Sequence, residues 1–429
     1  MKLTASKVLL IGLIFLLVGI APSTRAAAAE FYRTLTLGTR GSDVYALQVR
    51  LAELGYLTAQ PNGYYGLVTY RAVTRFERAA GLYPDGVVTE KEWALLFPAV
   101  SQPVSRQLPT GGGGKIVFGY YPVDYPGDRA AYTSLEKFGG SLNGVGYFCL
   151  SLDDQGNLRG SLPADGVALA KRLGVKGLVV VHNYRNGSFD QQLVHNVLSN
   201  RVSGNRLINN LLQLVKDNGL VGVNIDFENI APADRNLFTD FLARLAGVFK
   251  PAGFLVTAAV PAKTADDPAD TWGGAFDYAA IGRICDYIML MTYDEHWFGG
   301  SPGPIASLPW VVSVLDFAVK FIPRGKILLG IPAYGYDWSA AGTKVVPWDQ
   351  VNELINQYGW SQVTWDDLAC VPSLRYPDKG VTHEVWFENP YSLRIKLNLV
   401  YNYGLAGVAI WRLGFEDASF WETLRGAGF

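Results

Sequence analysis

Cysteine is nearly missing from this chain. Three in 429 residues, Cys149, Cys285 and Cys370, odd in number and widely spaced, argue against both a disulfide framework and a thiolate zinc cluster. Histidine is almost as scarce, and His182, His195, His296 and His383 show no metal-ligand spacing, so no metal and no cofactor is expected. A formal net charge of -1, with only 17% charged residues, gives no electrostatic case for a nucleic-acid partner. Past Ala29 no apolar run is long enough for a membrane span.

Aromatic residues are plentiful, with 11 Trp and 23 Tyr. They suit a carbohydrate platform, and equally the packing of one large core. At the amino end, Lys2 and Lys7 precede an apolar stretch over 8–20 and the small residues Ala26 to Ala29. This reads as an export signal over 1–29, with a retained membrane anchor as the alternative, and implies a secreted mature chain beginning near Glu30 with no membrane partner.

Residues 31–98 read as a small all-α module of three helices. Val44, Leu47, Leu51 and Leu54 recur at helical spacing after Gly41-Ser42-Asp43; a second helix comes after Tyr64-Tyr65-Gly66; a third opens with the Thr89 to Glu92 capping box. Residues 99–114, with Leu108-Pro109-Thr110 and four consecutive glycines, read as a flexible linker that lets the module move independently of the rest of the chain.

From Lys115 onward short apolar strands alternate with helical stretches. Strands are expected at 116–120, 144–150, 177–181, 222–227, 255–259, 287–292, 327–331 and 407–411, which predicts an α/β fold, a (β/α)8 TIM barrel over 115–429. The stretch after the seventh strand is too long for one barrel loop and is read as a small α+β insertion at about 337–388.

The chemistry gathers at strand ends, where such barrels keep their functional groups. In Asn224-Ile225-Asp226-Phe227-Glu228 the three polar side chains of an extended strand fall on one face. Strand six ends in Met291-Thr292-Tyr293-Asp294, strand seven in Pro332-Ala333-Tyr334-Gly335-Tyr336, strand eight in Trp411-Arg412. Tyr120 leaves strand one and Asn183 leaves strand three, while Trp297, Tyr336 and Trp386 are further candidates for the cleft wall.

These residues carry two resemblances. Arg40-Gly41-Ser42-Asp43-Val44, Leu47-Gln48, Gly63-Tyr64-Tyr65-Gly66, Ala72-Val73, Phe76, Gly81-Leu82 and Asp85-Gly86-Val87 resemble the three-helix bacterial peptidoglycan-binding domain, with Glu77 where glutamine is usual. Val221-Gly222-Val223-Asn224-Ile225-Asp226-Phe227-Glu228, with the later strand ends, resembles glycoside hydrolase family 18, which includes chitinases and spore cortex-lytic N-acetylglucosaminidases. Val221 and Asn224 stand where that family usually has aspartates.

The second resemblance implies a catalytic set of Glu228 as proton donor, Asp226 beside it and Tyr293 on the substrate's acetamide. Asn224, Asp294, Trp411, Tyr120, Tyr336, Asn183 and Met291 would be substrate-binding, with Trp411 under the reacting sugar. The chemistry would be substrate-assisted: the acetamide carbonyl attacks the anomeric carbon, so one protein acid suffices, its pKa raised by the like charge of Asp226. The expected protein is a monomeric secreted bacterial hydrolase of peptidoglycan in cell wall or spore. The alternatives are a chitinase and a catalytically silent sugar-binding barrel.

Overall fold

The computed structural model describes residues 33–96, 107–110 and 114–429; the expected export signal lies outside the described residues. The amino-terminal module has helices α1 (Ser42–Glu53), α2 (Leu67–Ala79) and α3 (Glu90–Leu96). Its core joins Leu35, Val44, Leu47 and Leu51 to Tyr65, Val73, Phe76 and Trp93. The buried Gln48 amide organises the turn between the first two helices. Its Oε1 accepts from Asn62 and Gly63 N–H at 2.8 and 2.9 Å, and its Nε2 donates to the Tyr64 carbonyl at 2.9 Å and to Thr69 Oγ1 at 2.7 Å. Glu77 is likewise an internal fastener: its Oε2 accepts from Gly86 N–H at 2.9 Å.

Eight parallel strands form the barrel: β1 (Ile116–Pro122), β2 (Gly144–Leu152), β3 (Lys176–His182), β4 (Gly222–Asp226), β5 (Leu255–Pro261), β6 (Tyr287–Met291), β7 (Ile327–Pro332) and β8 (Gly407–Trp411). Each pairs with the next, and β1 pairs with both β8 and β2, so the sheet closes. Nearly every strand residue is buried, which is why these segments read as unbroken apolar runs: one face meets the lumen and the other the helices. Phe118, Leu178, Val180, Leu255, Met289 and Ala409 fill the lumen. The linker contributes as well, because Leu108 is buried in this same cluster against the start of β2.

The insertion begins two residues after β7. It is a five-stranded antiparallel sheet, in the spatial order Gly342–Pro347, Tyr334–Ser339, Val381–Trp386, Val371–Asp378, Val363–Asp366, covered by the helix Trp348–Tyr358. Its first strand starts where β7 delivers the chain, at the carboxyl mouth of the barrel. Asp337 is its polar centre, accepting from the Tyr376 hydroxyl at 2.8 Å and lying 2.9 Å from His383 Nδ1.

Independent movement of the module does not hold. Helix α1 packs on the barrel helix α5 (Arg235–Phe249), and Tyr45 joins the barrel's outer core, 1% exposed. Helix α4 (Arg201–Asp217) supplies polar contacts: Asn205 donates to the Pro61 carbonyl at 3.4 Å, and Lys216 lies 3.8 Å from Glu53. The physical reason is that α1 has two apolar faces, one for the module's own core and one for the barrel.

Candidate active site

All eight strands point their carboxyl ends to one mouth, and β4 sends Asn224 and Asp226 inward on successive alternate positions. Asn224 lies in the lower layer, 0% exposed. It accepts from the Tyr120 hydroxyl at 3.2 Å, donates to Thr257 Oγ1 at 2.9 Å and has its Nδ2 3.2 Å from Met289 Sδ. A neutral amide fits this surround because it both accepts and donates; an ionised carboxylate could only accept. Expected at the substrate surface, Asn224 and the almost fully buried Tyr120 instead form the floor beneath it.

Asp226 sits one layer higher, buried, and its Oδ1 has no hydrogen-bond partner. The strand stops here, so Glu228 is not held on the β4 face by pleating as the sequence suggested. Asn183 holds it instead. Glu228 N–H donates to Asn183 Oδ1 at 2.9 Å, and Asn183 Nδ2 donates to the Glu228 carbonyl at 2.8 Å and to the Asp190 carbonyl at 3.2 Å. Asn183 is itself fully buried, so its amide faces backbone and not the cleft.

Burial pushes the Glu228 carboxyl well above the usual glutamate range, and the charges of Asp226 and Asp294 act in the same direction. Burial raises Asp226 as well. The sequence reading named like charge as the cause; loss of hydration is the larger one. Both carboxyls therefore resist ionisation.

Tyr293, just past β6, keeps its phenol protonated through burial, and its hydroxyl bonds to no described residue. Room for its ring comes from β7: a Cβ on Gly330 would lie 2.9 Å from Tyr293 Cε1 and 2.4 Å from the Leu290 carbonyl oxygen. Asp294 comes next in the left-handed region, φ 61°. Its carboxylate accepts from the Tyr334 hydroxyl at 2.5 Å and the Tyr336 hydroxyl at 3.0 Å. Tyr336, expected to touch substrate, is 6% exposed, with its hydroxyl turned to Asp294. Tyr334 belongs to the strand-seven end that the sequence singles out but not to the expected substrate-binding set, although its place in the Tyr-x-Tyr alternation matches that of Tyr336.

Trp411 ends β8, partly buried, with Tyr120 at 5.4 Å and Phe148 at 5.0 Å between ring centroids, both edge-on. The next residue, Arg412, donates to Asp124 Oδ1 at 2.7 Å and lies over the Phe415 ring, tying the end of β8 to the loop after β1. Met291 ends β6 and packs against the lumen cluster. Trp297 and Phe298 stand exposed on the loop after β6, and Phe298 meets Tyr336 at 6.2 Å. The mouth therefore brings together Asp226, Glu228, Tyr293, Asp294, Met291 and Trp411, and leaves Tyr120, Asn183, Asn224 and Tyr336 behind them. Among the described residues no group of three or more His, Cys, Asp or Glu side chains could hold a metal ion.

Comparison with known proteins agrees with this geometry. The model for "Glycosyl hydrolases family 18" matches residues 173–416, and one for a peptidoglycan binding domain matches residues 40–96. The chain is 32% identical over 344 residues to the uncharacterized glycosylase YvbX of Bacillus subtilis, spanning 78% of this chain and 98% of that protein. It is 30% identical over 291 residues to a cortical fragment-lytic enzyme of Bacillus anthracis, spanning 66% of this chain and 67% of the relative. The crystal structure of the Bacillus cereus spore cortex-lytic enzyme SleL superposes with a TM-score of 0.69 at 28% identity, covering 73% of this chain and 74% of that one. With a closed barrel, a carboxyl pair at β4 and the matched span in place, the chain belongs to glycosyl hydrolases family 18.

Proposed function

We propose that this glycoside hydrolase cleaves β-1,4 bonds next to N-acetylglucosamine in peptidoglycan of the spore cortex or cell wall, by substrate-assisted retention. The observation that carries the reading is the docking of a wall-binding module onto a barrel whose Asp226 keeps a buried carboxylate oxygen without a partner beside a proton-holding Glu228. Such an oxygen costs stability unless a ligand donor satisfies it. The acetamide N–H of a bound sugar is a donor of the right kind.

In this reading Glu228 protonates the glycosidic oxygen while the acetamide carbonyl attacks the anomeric carbon from the other face. Asp226 accepts the acetamide N–H and offsets the positive charge that spreads over the forming ring. Tyr293 donates its free hydroxyl to the carbonyl oxygen and holds it in line. Water then opens the cyclic intermediate, and Glu228, now ionised, takes the proton from that water. The net stereochemistry is retained. Trp411 gives the sugar a flat apolar floor.

Export through the amino-terminal segment and residence at the wall or spore belong to the same proposal, supported by the wall-binding match. The test is incubation of purified protein with cortex peptidoglycan, vegetative peptidoglycan and N-acetylglucosamine oligomers, with products identified by mass spectrometry. New reducing N-acetylglucosamine ends from peptidoglycan are expected. Cleavage of the oligomers alone would favour a chitinase, and binding without cleavage of any polymer would favour a silent sugar-binding barrel.

A further inference from the structure

His182 is the last residue of β3, and its backbone pairs in register with Asp226 on β4. Val180 and Asn224 form the preceding inward pair, with Val180 in the lumen cluster, so His182 occupies the same upper layer as Asp226. Its ring lies flat on Phe148, centroids 4.2 Å apart and planes 16° from parallel. Phe148 in turn meets Trp411 edge-on at 5.0 Å. Trp411, Phe148 and His182 therefore make one continuous wall around the mouth.

Which ring nitrogen carries the proton is decided by one hydrogen bond. The Tyr184 backbone N–H lies 3.2 Å from His182 Nδ1 and can only donate, so Nδ1 is the acceptor. The neutral ring then bears its hydrogen on Nε2. That nitrogen makes no hydrogen bond to any described residue, although the residue is only 9% exposed and its ring is stacked on an aromatic face. Nothing in the carboxyl chemistry uses it.

We infer that His182 is a specificity-determining residue, donating Nε2–H to a hydroxyl oxygen of the sugar that rests on Trp411. This rests on the saccharide reading of the cleft. Burial pulls the imidazole pKa down to about 4, so the ring is an uncharged donor throughout the neutral range. An uncharged donor suits a hydroxyl rather than a carboxylate, and its orientation is set by the Tyr184 N–H on one side and the Phe148 face on the other. A site built to hydrogen-bond a hydroxyl rejects the analogue that lacks it, because the buried donor is then left without a partner.

The experiment measures Kd by calorimetry for N-acetylglucosamine oligomers, intact or deoxygenated at C3 or at C6 of the residue on Trp411, and kcat/KM where turnover occurs. His182→Phe keeps a ring on Phe148 and removes the donor; His182→Gln removes the ring and keeps an uncharged donor. In the unaltered protein one deoxy analogue should bind about tenfold or more weaker than the intact oligomer. His182→Phe should bind the intact oligomer as weakly as that analogue and no longer distinguish the two, while His182→Gln recovers part of the discrimination. Equal melting temperatures verify that both variants fold. If His182→Phe matches the unaltered protein on all three ligands, the inference is overturned. Binding that depends on His182 without turnover would sink the hydrolase reading and leave this one standing; no binding of any oligomer would overturn both.

Discussion

Asn183 and Glu228 are joined like two strands of a sheet: the side-chain amide of one pairs with both the N–H and the carbonyl of the other, at 2.9 and 2.8 Å. A side chain on β3's exit thereby fixes the backbone of the acid where β4 has already ended. Removing the amide in Asn183→Ala frees Glu228 to shift, and a misplacement of about 1 Å can cost about 100-fold in rate. We expect kcat to fall by about that factor with KM changed less than threefold. The alternative, a merely structural role, predicts lower stability with unchanged kcat, and steady-state kinetics beside a melting curve separates them.

Much of this architecture is legible in the sequence, and the exceptions have a common cause. The barrel strands are readable because both faces are buried, giving apolar runs bounded by turns, as in Leu178-Val179-Val180-Val181. The acids are readable because they sit at a strand end. The Asn183 clamp is not, since it links positions 45 residues apart through backbone atoms that no motif records. Tyr45 is hidden for a different reason: α1 already has a sufficient apolar face in Val44, Leu47 and Leu51, and only its second face reports a second partner. Leu108, in a stretch that looks like pure linker, is buried for the same kind of reason, a lumen that needs filling from below.

The Asp294 carboxylate is held by two hydroxyls, so Tyr334→Phe and Tyr336→Phe should not act independently. Either single change leaves one donor and should lower kcat/KM by about 10-fold or less, whereas the double variant leaves the carboxylate without either tyrosine and should lose more than the two combined. Kinetics of the four proteins on one N-acetylglucosamine oligomer gives the coupling. Simple additivity would mean the two tyrosines serve Asp294 separately, or not at all.

The raised pKa values of the two carboxyls give the pH dependence a definite sign. In the proposed mechanism activity needs Glu228 protonated and Asp226 ionised, so it should fall as pH rises through the raised Glu228 pKa and fall as pH drops through that of Asp226. Replacing Asn224 by aspartate puts a third carboxyl in the layer beneath Asp226 and removes the donor to Thr257. The added negative charge disfavours ionisation of Asp226, so the acid limb of kcat should move to higher pH in Asn224→Asp. An acid limb at the same pH in both proteins would show that Asn224 does not communicate with Asp226.

Docking of the module should be visible in unfolding. Tyr45 is sealed against the barrel, while Arg244 on α5 donates to Asp240 at 2.9 Å and to Asn205 at 2.5 Å. Truncating a buried aromatic costs about 3–5 kcal/mol, and here that loss falls on the interface between two units, each with its own core. Calorimetry of the unaltered chain should give one transition, and Tyr45→Ala two, with the module melting first. The same variant should keep kcat on short oligomers, since Tyr45 is remote from the mouth, and lose rate on insoluble wall. A single unshifted transition in Tyr45→Ala would argue that the module is held by other contacts.

A buried ion pair lies where the insertion rejoins the barrel. Lys396 Nζ is 2.7 and 2.8 Å from the two carboxylate oxygens of Glu388, and the two side chains are 3% and 1% exposed. Attraction inside the protein must first offset the loss of hydration of both ions, so the pair as a whole adds little compared with two apolar residues. Breaking it is another matter. Lys396→Met leaves Glu388 buried without its counter-charge and should cost about 3–5 kcal/mol, read from the denaturation midpoint. Glu388→Gln with Lys396→Met removes both charges and should recover a large part of that loss. If the single variant is as stable as the double, Glu388 has found water or another donor, and the junction between insertion and barrel is looser than its burial indicates.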